Sequence, residues 1–87
     1  MDIRLLRYFV SVAREGNITR AAESLHISQP SLSKQLKELE QELGKPLFLR
    51  GKRKITLTDD GVLLRKRAEE ILSLLEKTEL ELSADAP

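Results

Sequence analysis

Residues 28–46 constrain the fold more than any other stretch of this chain. Leu32, Leu36, Leu39 and Leu43 recur at intervals of four, three and four residues, which lays one apolar stripe along a helix. Ser28 stands where an N-cap belongs, and Pro30 falls in the first turn, where a missing N–H forfeits no helix bond. Gly44 occupies the place of a left-handed C-terminal residue, and Pro46 blocks continuation. A helix marked at both ends, with all its leucines on one side, must lay that side on other elements.

Those elements can be read on either side of it. In residues 2–15, Leu5, Phe9, Val12 and Ala13 keep helical spacing, with Leu6 beside them. Gly16 follows as a stop and Asn17 as the next cap. A short second helix is predicted from Ile18 to Leu25, with Ala21, Ala22 and Leu25 inward and His26-Ile27 as the turn. After Pro46 the pattern changes. Residues 47–50 and 54–57 read as two short strands with Gly51-Lys52-Arg53 at the hairpin tip. Thr58 caps a fourth helix whose Asp59 and Asp60 suit the positive end of its dipole. It is predicted to run into the low 80s, on the order of 35 Å, too long for so small a domain to cover. The predicted fold is mainly α, a winged helix-turn-helix with a three-helix core and a two-stranded wing, followed by a long linker helix. Its expected divisions are 1–57 for the winged domain, 58–83 for the linker or dimerisation helix, and 84–87 for the start of a hinge.

Composition removes several classes of function. The 87 residues make one domain, with 40% hydrophobic and 33% charged residues. There is no cysteine, so disulfides, thiolate metal sites and thiol catalysis are excluded together, and a reducing cytoplasm is expected. The single histidine, His26, reads as a turn residue. Glu38 and Glu42 share a face, but with no histidine or further acid in reach they read as solvated, as does Glu40. No metal, cofactor or catalytic group is expected: no serine sits in a nucleophile elbow, and there is no glycine-rich phosphate loop. No apolar run reaches membrane-spanning length.

The net charge of +1 conceals a division. Residues 1–57 hold 11 Lys/Arg against 6 Asp/Glu, and residues 58–87 hold 4 against 8. A basic first part is suited to a polyanion. Opposite its leucines, the third helix offers Gln29, Ser31, Ser33 and Lys34 near its N-terminus. Gln can bond adenine with two hydrogen bonds, Lys can reach guanine or phosphate, and Ser can bond bases or backbone. Lys37 and Glu38, further along, read as an ordinary solvated face. Arg50, Lys52, Arg53 and Lys54 stand within five residues with no acid among them, which favours a phosphate or minor-groove partner. Arg50 can alternatively pair with Glu40.

Along the fourth helix Leu64, Ala68, Ile71, Leu75, Thr78 and Leu82 repeat at alternating intervals of four and three. With Leu72 beside it, this seam is expected to pair with a second copy, while Val62, Leu63 and Leu64 can rest partly on their own domain. Arg65, Lys66 and Arg67 mark the early part of the helix, and Glu76, Glu79, Glu81 and Asp85 the late part. An antiparallel pair sets basic against acidic, and the crossing is expected near Ile71 or Leu72. A two-fold dimer then presents two third helices to an interrupted palindrome in duplex DNA, about 34 Å apart.

The run from Asn17 to Leu36, NITRAAESLHISQPSLSKQL, resembles the helix-turn-helix of LysR-type transcriptional regulators. So do Leu39-Glu40, Leu43-Gly44, Pro46-Leu47-Phe48-x-Arg50, Arg53 and Leu57-Thr58-x-x-Gly61, in that order, and the likeness extends from about Ile3 to Leu82. The resemblance implies a bacterial transcription factor that binds promoter DNA as a dimer through antiparallel linker helices. It implies base contacts by Gln29 and Pro30, base or phosphate contacts by Ser33 and Lys34, wing contacts by Arg50 and Arg53, and backbone contacts by Thr19 and Arg20. Arg is common in the family where Lys34 stands. The resemblance further implies that a small-molecule effector acts through a C-terminal domain beyond these residues, making this an excised DNA-binding domain. Three rivals remain open on the residues alone: a winged helix used for protein contacts, a small enzyme, and a membrane binder through the fourth helix.

Overall fold

Each of the first three helices begins where a side chain receives one of its free N–H groups. The computed structural model describes residues 1–50 and 54–83. Its order is α1 (Ile3–Glu15), α2 (Ile18–Leu25), α3 (Gln29–Leu43), β1 (Phe48–Arg50), β2 (Ile55–Leu57) and α4 (Asp59–Ser83). Asp2 caps α1 by accepting from Leu5 N at 2.9 Å, so that helix starts one residue later than its apolar pattern suggests. Asn17 accepts from Arg20 N at 2.9 Å, and Ser28 accepts from Ser31 N at 3.2 Å. Gly16 and Gly44 close α1 and α3 with φ of 67° and 70°, the left-handed region where a Cβ is unwelcome. His26 adopts the same region at φ 59° and ends α2, in agreement with its reading as a turn residue.

The core forms where α1, α2, α3 and the wing converge. Phe9, Val12, Leu32, Leu39 and Leu47 are its largest fully buried side chains. Phe48 stacks obliquely on Phe9 with ring centroids 5.4 Å apart. Ala21 and Ala22 are buried and small, which lets α2 lie close to its neighbours. Leu36 completes the apolar stripe of α3, while Leu43 is 36% exposed at its end. Each large apolar side chain buried here stabilises the fold by roughly 1.5–3 kcal/mol.

The strands pair antiparallel with Phe48 opposite Leu57, Leu49 opposite Thr56 and Arg50 opposite Ile55. Ile55 N donates to Gly16 O at 3.1 Å, which fastens the wing base to the α1–α2 corner. The tip Gly51-Lys52-Arg53, the side chain of Arg50 and the hinge residues 84–87 lie outside the described residues.

The fourth helix corrects the expected seam. Ala68 is fully buried, and Leu64 and Leu72 pack against the core of their own chain. Positions 61, 64, 68, 72 and 75 share one side of a helix that turns 100° per residue, and this side lies on α1. Ala68 therefore cannot serve a partner, and Leu64 and Leu72 keep only part of their surface for one. Leu75 is half-buried, and only Ile71 and Leu82 of the six expected seam leucines, isoleucine and alanine are exposed. Val62 and Leu63, expected with Leu64 to rest on their own domain, are instead more than half exposed, as are Leu74 and Leu80. Arg14 of α1 reaches Glu69 of α4 at 3.3 Å and ties the two helices together, while Arg65 approaches the same carboxylate at 3.9 Å from one turn earlier on α4.

Candidate nucleic-acid interface

The leucines of α3 turn inward, so its opposite side is open along most of its length. Pro30, Ser33, Lys34, Lys37, Glu38 and Gln41 line one shallow depression on that side. Gln29 is exposed at the helix start, and its Nε2 donates to Ser33 Oγ at 3.0 Å. The bond holds an amide and a hydroxyl together one turn apart, and leaves the exposed Gln29 its amide oxygen and second hydrogen. Ser31 is exposed but does not line the depression. The structure thus brings Pro30, Ser33 and Lys34 together, with Gln29 hydrogen-bonded at the edge.

Lys37 and Gln41 belong to the same surface. Lys37, by sequence alone part of an ordinary solvated face, stands one turn beyond Lys34 on the face that bears Pro30. The signal was present in the spacing, because residues three, four and seven apart share a side. Lys34 and Lys37 are both exposed, so the groove carries two cations against the one carboxylate of Glu38.

Thr19 and Arg20 are exposed at the start of α2. The N–H of Arg20 is taken by Asn17 and that of Ser31 by Ser28, so these two backbone donors are occupied rather than free for phosphate. Arg20 retains its guanidinium. Lys54 is exposed at the foot of the wing. The roles expected of Lys52 and Arg53, and of the Arg50 side chain, fall outside the described residues.

Glu40 does not behave as a solvated acid. Its Oε2 accepts from Leu47 N at 2.7 Å and from Phe48 N at 3.4 Å, joining α3 to the start of β1. Glu42 pairs with the amino terminus of Met1. Spacing could not have found either contact, since both partners are distant in sequence or conformation. Among the described residues no group of three or more His, Asp or Glu side chains could hold a metal ion. No helix among them is long and apolar enough to cross a membrane.

Residues 3–62 match the family described as bacterial regulatory helix-turn-helix protein, lysR family. The chain is 55% identical over 82 residues to the HTH-type transcriptional regulator BsdA of Bacillus subtilis (strain 168), covering 93% of this chain and 28% of that protein. It is 54% identical over 74 residues to the HTH-type transcriptional regulator BudR of Klebsiella aerogenes, covering 85% and 52% respectively. The chain therefore spans about a quarter to a half of the length of these relatives. Among solved structures, the BenM DBD/benA site 1 DNA complex superposes with a TM-score of 0.94 at 40% identity, over 99% of this chain and 100% of that one. The CbnR DBD–DNA complex gives 0.91 at 39% identity over 97% of both chains.

Proposed function

Because the chain belongs to the lysR family of bacterial regulatory helix-turn-helix proteins, we propose that it is the DNA-binding part of a dimeric transcription regulator. Residues 1–57 grip promoter DNA, residues 58–83 join two copies, and residues 84–87 begin a hinge. The observation that carries this reading is the outward side of α3, where Pro30, Ser33, Lys34, Lys37 and Gln41 line one surface opposite a leucine core. A cylinder with hydrogen-bonding and cationic groups on its free side fits the major groove.

In this reading Gln29, Pro30 and Ser33 meet base edges. Ser31 and Lys34 add base or phosphate contacts, and Thr19 and Arg20 bind the sugar–phosphate backbone. Arg50, Lys52 and Arg53 carry the wing to the minor groove. The copies pair through antiparallel α4 helices, using Ile71, Leu75 and Leu82 together with exposed Leu74. The DNA solved with the BenM and CbnR DNA-binding domains supports the choice of partner. We assign the chain no catalytic role and a cytoplasmic location, in keeping with relatives named as transcriptional regulators. A small-molecule effector acts through a C-terminal domain rather than through these residues.

The test is selection of bound duplexes from a random pool, followed by footprinting of the winners. Two protected half-sites about one helical turn apart are expected, on one face of the duplex. Absence of any protected duplex at low salt would refute the proposal.

A further inference from the structure

We propose that the Pro46–Leu47 segment is the joint that sets the angle between α3 and α4, and thereby the half-site spacing that a dimer accepts. The inference rests on the dimeric DNA-binding reading above and adds the residues that give it a ruler.

The backbone of Leu47 is held from both sides. Its N–H donates to Glu40 Oε2 on α3 at 2.7 Å, and its carbonyl accepts from Thr58 N, just before α4, at 3.0 Å. Next to it, Pro46 O accepts from Thr58 Oγ1 at 2.7 Å. That hydroxyl oxygen in turn receives Gly61 N at 3.0 Å, so one threonine both caps α4 and bolts it to the strand approach. The Leu47 side chain is 1% exposed, which anchors the bracket in the core.

Gly61 shows how closely the parts approach. A Cβ there would stand 2.2 Å from Leu47 O and 3.1 Å from Leu47 C. Both are backbone atoms of the carbonyl that Thr58 N already bonds, so no flexible side chain is there to move aside. The first turn of α4 therefore rests against the Leu47 carbonyl at a distance only glycine allows.

Lever arithmetic connects this joint to recognition. Ala68 and Leu72 seat this stretch of α4 on α1, and the joint fixes where that seat falls, so a change of about 10° at the joint, taken up by sliding on α1, moves Ile71, about 18 Å along α4 from Asp59, by roughly 3 Å. A two-fold axis doubles the change between the two α3 helices to roughly 6 Å, close to two base-pair steps of about 3.4 Å. Single half-site docking depends on α3 and the wing, and is indifferent to that angle.

The experiment measures binding of the chain to a series of duplexes whose half-site spacer grows one base pair at a time, and to a single half-site. Wild type is expected to favour one spacer by about tenfold over its neighbours. Thr58→Val removes the hydroxyl bonds with little change of shape, and should flatten that preference to within about threefold while leaving single half-site affinity within about twofold. Thr58→Ser, which keeps the hydroxyl, should restore the wild-type profile. Gly61→Ala forces helix and strand apart and should move the preferred spacer. Thr58→Ala, which removes the same hydroxyl and needs no added room, decides the matter if Thr58→Val does not fold. A folded variant of either kind with the wild-type spacer profile overturns the joint alone. A wild type without any spacer preference overturns the dimeric reading, and the joint with it.

Discussion

Gln29, Lys34 and Glu40 stand on one helix and face three different problems. Gln29 already spends one amide hydrogen on Ser33, which fixes the direction in which its oxygen and second hydrogen point. An amide so held suits adenine, which offers one donor and one acceptor in the major groove. Gln29→Ala should therefore relax preference at a single base position by about 1–3 kcal/mol and leave most non-specific affinity intact, as read from a panel of single-base operator variants. Lys34 is a point charge without the planar fork of arginine, so it fits a phosphate or a single guanine acceptor better than a two-bond guanine contact. Glu40 faces inward along the chain. With Glu40→Ala the N–H of Leu47, a buried residue, loses its acceptor, and the fold should weaken by about 1–3 kcal/mol, seen as a lower thermal midpoint.

At the scale of the element, α4 carries aliphatic residues on two sides, and they have different work. Gly61, Leu64, Ala68 and Leu72 lie against α1 and the core, whereas Leu63, Ile71, Leu74 and Leu82 look outward. Ala68→Glu should unfold or strongly destabilise the protomer, because no space or partner awaits a buried carboxylate. Leu74→Glu should leave the thermal midpoint of the protomer nearly unchanged and shift the sedimentation profile to monomer. If both variants behaved alike, the division of α4 into an inner and an outer side would be wrong. The contrast also explains what the sequence could reveal. Caps at Asn17, Ser28 and Thr58, stops at Gly16 and Gly44, and the leucine stripe of α3 are local signals, so the elements they bound were legible with small errors at the ends. The face of α3 opposite the leucines was legible too, though Lys37 and Gln41 needed the helix to be followed one turn further. The seam of α4 was not, because a stripe of aliphatics spaced for a partner helix is also spaced for α1, and only tertiary packing decides between them. The bracket made by Glu40 was hidden for the same reason: its bonds form only after the chain reverses at Gly44 and Pro46.

Across the whole molecule, charge and shape point the same way. By sequence residues 1–57 hold a basic excess and residues 58–87 an acidic one, and α4, which carries most of those acids, helps stretch the molecule to 54 Å. An acidic arm near a phosphate rod would oppose binding, so the arm must point away or be neutralised. The antiparallel pairing proposed above would do the latter, by laying Glu76, Glu79 and Glu81 of one copy near Arg65, Lys66 and Arg67 of the other. The cations left for DNA in each copy then include Arg20, Lys34 and Lys37 together with those of the wing. If three or four of them per copy neutralise phosphates, the logarithm of affinity should fall against the logarithm of salt with a slope of about −5 to −7 for the dimer. Arg53→Ala removes one cation from each wing, so the slope should become shallower by about 2 while base preference under the two α3 helices persists. A fluorescence titration of operator DNA from low to moderate salt measures both quantities. A slope untouched by Arg53→Ala would mean that Arg53 does not meet the phosphates. In that case the wing's share of the grip would have to come from Arg50, Lys52 and Lys54, beside α2 and α3.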